Sequence, residues 1–256
     1  MIKRKLNGFT LTEALVAIVI GMISVAAIFF SYQAFNKTFT SVEAKAQMNS
    51  NARDALSQMT RELRNTCRVD TNWVGHTNPL LTASQCLTKF KSPRGYPQYF
   101  AGADFLQIFY DDSPNNRVRV DYGLKKYKNS NDTYLARTYM VMNCISTNNC
   151  SFDSPRGVRN VDQIFINNVE DFQVVFKDDK GAEVTNVNSL AGKSGRQNQL
   201  KVKTIEIYLT VRSRNKVYNS KKTWTIKNAD REYTVVDQYH RDTYFVSVYP
   251  RNIVQN

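Results

Sequence analysis

Residues 6–30, LNGFTLTEALVAIVIGMISVAAIFF, decide the fold. From Phe9 to Phe30, 22 residues carry a single charge, Glu13, and that length is enough to cross a bilayer as a helix. Lys3, Arg4 and Lys5 flank the run on its N-terminal side, which orients the N-terminus to the cytoplasm and the remainder outside. A secretory signal peptide has a shorter apolar core followed by a small-x-small cleavage site. This run is longer, carries an acid near its start and continues into helix-compatible sequence. A plain anchor accounts for the length and leaves the acid unexplained. A carboxylate in the apolar layer costs on the order of 3 kcal/mol and ordinarily has a partner. Snorkelling from one end lowers that cost without removing the question.

The helical pattern does not stop at the membrane edge. Phe35, Phe39, Val42, Ala46, Ala52, Leu56, Met59 and Leu63 keep mostly three- and four-residue steps, and no proline precedes Pro79. This spacing predicts one helix from about Thr10 to Asn65, roughly 80 Å long at the usual rise per residue. Lys37, Glu43, Lys45, Arg53 and Arg61 appear only in its second half. The first half is therefore membrane-spanning and apolar all round, the second amphipathic. Gly21 is the one weak point of the apolar half.

Beyond Asn65 the texture changes. Residues 66–102 read as loop, broken by Pro79, Pro93, Gly95 and Pro97. Strand-like segments follow at Phe105–Tyr110, Val118–Tyr122, Tyr134–Met142, Ile164–Phe176, Val202–Val211 and Tyr244–Tyr249. In the fifth, Ile205, Ile207, Leu209 and Val211 face one way, and Glu206, Tyr208 and Thr210 the other, predicting a strand with one buried face. The residues 191–199, AGKSGRQNQ, read as a surface loop. The expected fold class is α+β: a long N-terminal helix packed on an antiparallel β-sheet head.

Composition bounds the head. Of 256 residues, 42% are hydrophobic, with 14 Tyr and 14 Phe, enough for a core and against wholesale disorder. The net charge of +13 attracts nucleic acid, anionic lipid or acidic polysaccharide, although scattered basic residues read first as a solvated surface. Cys67, Cys86, Cys144 and Cys150 all lie beyond the apolar run. Two disulfides, a metal site and buried thiols are all compatible with them, but wide spacings and only two histidines, His76 and His240, leave zinc patterns absent. If this region is extracytoplasmic, disulfides are favoured. Of three possible pairings, locality favours Cys67–Cys86 with Cys144–Cys150.

Gly8-Phe9-Thr10-Leu11-Thr12-Glu13, after a basic leader and before an apolar run, resembles the prepilin signal of type IV pilins and type II secretion pseudopilins. Thr12 stands where a larger aliphatic residue is common. The resemblance implies cleavage after Gly8 by the membrane prepilin peptidase and methylation of the new N-terminal residue, Phe9. It also implies an assembly role for Glu13. Before cleavage the Phe9 nitrogen is a neutral amide; afterwards it is an ammonium that Glu13 of a neighbouring subunit can pair with, so two charges unfavourable in the apolar layer offset one another. The implied organisation is a leader at 1–8, a transmembrane and assembly helix at 9–30, an amphipathic continuation at 31–65 and a periplasmic or extracellular head at 66–256.

MNSNARDALSQMTRELRNTC, VEDFQVVF, VKTIEIYLTVRSR and the terminal YFVSVYPRN are similar to W-type (PilW-like) minor pilins and, more distantly, to J-type minor pseudopilins. The resemblance implies a minor pilin, a structural subunit of a type IV pilus entering its priming or tip complex, with a place in motility, adhesion or DNA uptake. Major pilins are usually smaller. The alternatives are a minor pseudopilin of a type II secretion system and a tip-displayed adhesin or DNA-binding module. Implied partners are the prepilin peptidase, other minor and major pilins through the N-terminal helix, and the bacterial inner membrane before assembly. Implied localisation is single-pass, N-terminus cytoplasmic and head periplasmic, then the pilus at the cell surface.

No catalytic constellation stands out. There is no phosphate-cradling glycine loop, no metal-spaced His/Cys cluster and no nucleophile elbow, so neither an enzyme nor a cofactor is expected. Asp178-Asp179-Lys180-Gly181 reads as a turn, and Asp111-Asp112 also reads as a turn rather than a calcium loop. Lys193, Arg196, Lys201, Lys203, Arg212, Arg214, Lys216, Lys221 and Lys222, with Tyr208, Tyr218 and Trp224 nearby, are candidates for contact with DNA or a surface ligand, set against an ordinary solvated face.

Overall fold

A computed structural model describes residues 10–67, 86–91, 102–113, 116–146, 149–151, 159–185, 187 and 198–253. The chain divides into two compact units, 1–46 and 47–256, and helix α1 (Leu11–Asn65) contributes to both. In the first unit α1 is unbroken. Its hydroxyl residues turn back onto the preceding turn: Ser24 donates to the Ile20 carbonyl (2.8 Å) and Thr38 to the Ala34 carbonyl (3.0 Å). Such bonds let polar side chains sit in an apolar helix without stranding a donor. Leu11, Ile18, Ile23 and Phe30 are each more than half exposed, so this unit's own fold covers none of them.

In the second unit the helix is one-sided. Met48, Ala52, Ala55, Leu56, Met59 and Leu63 are buried at three- and four-residue steps, the stripe an amphipathic helix turns to a core. They join a single apolar cluster with Leu106, Ile108, Val120, Phe172, Ile205 and Ile207. At roughly 1.5–3 kcal/mol for each large apolar side chain buried, this stripe is the main reason the helix stays against the sheets. One ionic contact adds register. Glu62, on the same face, accepts from Arg137 Nη2 (2.6 Å) and Nε (3.1 Å), from Gln58 (3.3 Å) and from the Tyr122 hydroxyl. Burial and the neighbouring Glu62 carboxylate hold the Tyr122 phenol well above its usual pKa, so it remains a donor at physiological pH.

All strand pairing is antiparallel. β1 (Leu87–Lys91), β2 (Asp104–Ser113), β3 (Asn116–Lys126), β4 (Thr133–Ser146) and β5 (Asn149–Ser151) run in order, and β6 (Arg159–Asn167) also pairs with β4. A three-stranded sheet has the order β11 (Arg241–Val248), β8 (Thr204–Arg212), β7 (Val169–Lys177). β9 (Lys222–Asn228) and β10 (Arg231–Asp237) form a hairpin whose register Arg231↔Asn228 leaves Ala229 and Asp230 as its turn. Ala229 takes the positive φ of 50° that a primed two-residue turn requires.

The long helix and antiparallel sheets match the expected α+β class, with three corrections. Ile164–Phe176 is two strands rather than one, because Asn168 sits at φ 58° and breaks the extended run between β6 and β7. Asp111 and Asp112 belong to β2 rather than a turn, with Arg117 Nε 3.3 Å from Asp111. The polar face of β8 is also covered: Thr210 is fully buried and Glu206 is 8% exposed. Glu206 accepts from Lys177 (2.7 Å) and the Tyr208 hydroxyl (3.0 Å), and Thr210 is covered by the hairpin β9–β10, absent from the expected strands. Its Asn228 donates to Asp171 (2.9 Å) and to Thr210 (2.5 Å), and Arg231 donates to Asp171 (2.7 Å). The expected turn at 178–181 forms, with Asp178 Oδ1 accepting from the amides of Lys180 (2.9 Å) and Ala182 (2.8 Å). Part of the expected loop 66–102 is strand β1; of the expected loop 191–199, residues 191–197 lie outside the described residues and 198–199 are helical.

Candidate functional site: the acidic start of helix α1

Thr10 precedes the first helical residue and Glu13 follows three positions later. That is the spacing of a capping box, in which two side chains satisfy backbone donors left open by the first turn. Both arms form. The Glu13 amide donates to Thr10 Oγ1 (3.3 Å), and the Thr10 amide donates to Glu13 Oε2 (2.9 Å). The Thr10 hydroxyl also donates to the same carboxylate oxygen (2.7 Å). The carboxylate is thereby turned back toward the chain start, where the helix dipole also favours negative charge. It borders a shallow apolar concavity of about 440 Å3 formed with Val16, Ala17 and Ile20.

Gly8 and Phe9 lie outside the described residues. Glu13 is exposed, and its described hydrogen bonds all go to Thr10. Residue spacing carries the capping box, Thr10-x-x-Glu13, but the prepilin resemblance drew the reading to Glu13 alone.

The four cysteines separate by what is described. Cys67 and Cys86 form a disulfide with Cα atoms 5.1 Å apart. It ties the end of α1 to β2: the Cys67 amide donates to the Phe109 carbonyl (3.0 Å), and the Phe109 amide to the Cys86 carbonyl (2.8 Å). Cys144 and Cys150 are backbone partners in the β4–β5 register.

Among the described basic residues, Lys201, Arg214, Lys216 and Lys221 are exposed, while Arg212 and Lys222 make contacts within the head. Arg212 donates to Asp132 (2.7 Å), and its guanidinium stacks 4.2 Å from the Tyr239 ring. Lys222 sits 3.9 Å over the Tyr218 ring, which packs with Trp224 and hydrogen-bonds His240. Tyr208 instead packs on Phe245, 5.0 Å between centroids. Lys193, Arg196 and His76 lie outside the described residues.

Residues 3–29 match the family described as the prokaryotic N-terminal methylation motif. No curated protein matches the chain. Among solved structures, a type IV-like pilin from Thermus thermophilus is similar at 13% identity and a TM-score of 0.45, over 81% of this chain and 98% of that one. The methylation motif thus opens a long helix that continues into an antiparallel β head. By length and composition, that helix is long and apolar enough to cross a membrane.

Proposed function

We propose that the chain is a minor pilin, cleaved between Gly8 and Phe9, methylated at Phe9, and built into the priming or tip complex of a type IV pilus. The carrying observation is that Glu13 heads an apolar helix with exposed side chains, and among the described residues its hydrogen bonds are those of a local cap. An exposed apolar surface of this extent needs lipid or other helices. The carboxylate is turned back onto Thr10, at the start of the helix. In an assembled bundle the new amine of one subunit and Glu13 of its neighbour neutralise each other, which couples processing to incorporation.

The proposed division is leader 1–8, membrane and assembly helix 9–30, amphipathic helix 31–65 and head 66–256. The N-terminus is cytoplasmic, the head is periplasmic, and both then pass to the pilus. The Cys67–Cys86 disulfide supports an oxidising location for the head. Mass spectrometry of the mature chain tests the reading: its first residue is methylated Phe9. A mature chain in piliated cells that keeps Met1 overturns it, and recovery from secretion assemblies rather than pili replaces the pilus with the type II machine.

A further inference from the structure

We propose that the head binds a neutral carbohydrate in a cleft between hairpin β9–β10 and the β3–β4 and β6–β7 turns. Two cavities, of about 260 and 440 Å3, adjoin along Asp132, Asn168 and Arg212. Each has the size that encloses one or two sugar rings. The inference does not depend on which machine the chain enters.

The charges of this cleft are already neutralised by one another. Arg212 donates to Asp132 (2.7 Å) and lies 3.7 Å from Glu170, while Glu170 accepts twice from Arg241 (2.5 and 2.8 Å). Arg231 is held by Asp171 at 2.7 Å. An anionic ligand would have to displace a carboxylate from a guanidinium, leaving one buried group without its partner. Arg214, the remaining cation of the lining, is exposed at the outer rim. A strongly anionic polymer therefore finds little here, despite the net charge of +13 on the whole chain.

What remains on offer is amide and phenol. Asn131 lines the first cavity, Asn167 and Asn215 the second, and Asn168 both. Each amide side chain both donates and accepts, the pairing a sugar's vicinal hydroxyls can complete. Two of these residues are held in place, Asn168 by its backbone and Asn167 by its side chain. The Arg212 backbone amide donates to the Asn168 carbonyl (2.8 Å), holding that residue at φ 58°, and the Tyr127 hydroxyl donates to Asn167 Oδ1. Tyr127, Tyr233 and Tyr239 contribute aromatic rings to the walls, surfaces suited to the C–H face of a pyranose. Beneath the wall, Tyr233 OH and Arg212 Nε are shielded from solvent without a hydrogen-bond partner among the described residues. Internally neutralised charges, amide side chains and aromatic walls select a neutral glycan over nucleic acid.

The test uses the full chain in micelles of a zwitterionic detergent, because glucoside and maltoside headgroups would compete. Lactose, maltotriose, diacetylchitobiose and sialyllactose are titrated by saturation-transfer NMR. A neutral member is expected to bind, and Asn131→Ala and Asn168→Gly are each expected to weaken it about tenfold. Glycine keeps the left-handed backbone at 168 while removing the amide; exposed Asn131 provides a variant with little risk to folding. The proposal is overturned if no neutral sugar binds, if only sialyllactose binds, or if affinity survives both substitutions. It is equally overturned if an oligonucleotide or neutral peptide, and no sugar, protects these asparagines.

Discussion

Glu13 and Glu62 lie on the same helix, and their surroundings could hardly differ more. Glu62 is buried and meets Arg137, Tyr122 and Gln58, all from its own chain. Glu13 is exposed amid apolar side chains and meets Thr10. A buried carboxylate whose charge is matched internally acts on folding: it fixes where the helix sits on the sheet. An acid whose described bonds are only those of a local cap leaves its charge to be matched by something outside the monomer. The same residue type therefore marks the self-sufficient part of the molecule in one place and the part that requires partners in the other.

Removing the guanidinium gives the largest expected effect. Arg137→Ala leaves Glu62 buried without its counter-charge and is expected to lower head stability by about 3–5 kcal/mol. The urea midpoint of the full chain in micelles, followed by tryptophan fluorescence, reads this out. Glu13→Ala in the same assay should stay within about 0.5 kcal/mol, while incorporation into pili falls sharply. A small loss for Arg137→Ala, or a large one for Glu13→Ala, would erase the contrast between the two glutamates.

Next in size is the Cys67–Cys86 bond, which spans a sequence separation of 19. Closing a loop of that length stabilises by about 3 kcal/mol in the chain-entropy account. The Cys67→Ser/Cys86→Ser double variant is expected to lose about that much in the urea assay, and dithiothreitol should then shift the wild type but not the variant. Equal sensitivity of both to reductant would assign the effect elsewhere.

Acid gives a smaller effect on the self-sufficient side. Hydrogen bonds from Arg241 hold the Asp237 carboxyl below its ordinary pKa, against some burial. Its folded pKa is depressed, so its contribution is complete above the unfolded value of about 4 and is lost as pH falls through the folded value. Thermal stability measured from pH 6 to pH 2 should decline over the acid end, and Asp237→Asn should flatten that decline. An unchanged slope would remove this pair from the acid response.

Local periodicity carried the helix and most strands, because each repeats within a few residues, whereas the acidic motif came from its resemblance to the prepilin signal. The β9–β10 hairpin is written in the sequence as well, in alternating Thr223-Trp224-Thr225-Ile226 and Tyr233-Thr234-Val235 around a short polar turn, although it is absent from the expected strands. The Glu62–Arg137 pair was not legible. Its members are 75 positions apart, and surface charges of the same types occur throughout the chain. The same holds for Asp171 with Arg231, 60 apart, and so for the covered polar face of β8. The cleft is legible only once three separate turns have converged, since no one of them carries an unusual sequence.

The smallest effect sharpens the comparison at the other end of the helix. If Thr10 serves only to cap α1, Thr10→Ala loses one reciprocal pair of hydrogen bonds, about 1 kcal/mol confined to the first turn. Head stability is then unchanged, because the cap lies outside the cooperative unit that urea unfolds. The expected signal is local: amide exchange at Glu13 in micelles accelerates about fivefold. Freed from the Thr10 amide and hydroxyl, Glu13 would also lose its orientation toward the chain start. Incorporation into pili should therefore fall less in Thr10→Ala than in Glu13→Ala, since the charge remains while its direction is lost. Equal losses in the two variants would make orientation as necessary as charge. Unchanged exchange at Glu13 would show that the box is not what holds the carboxylate.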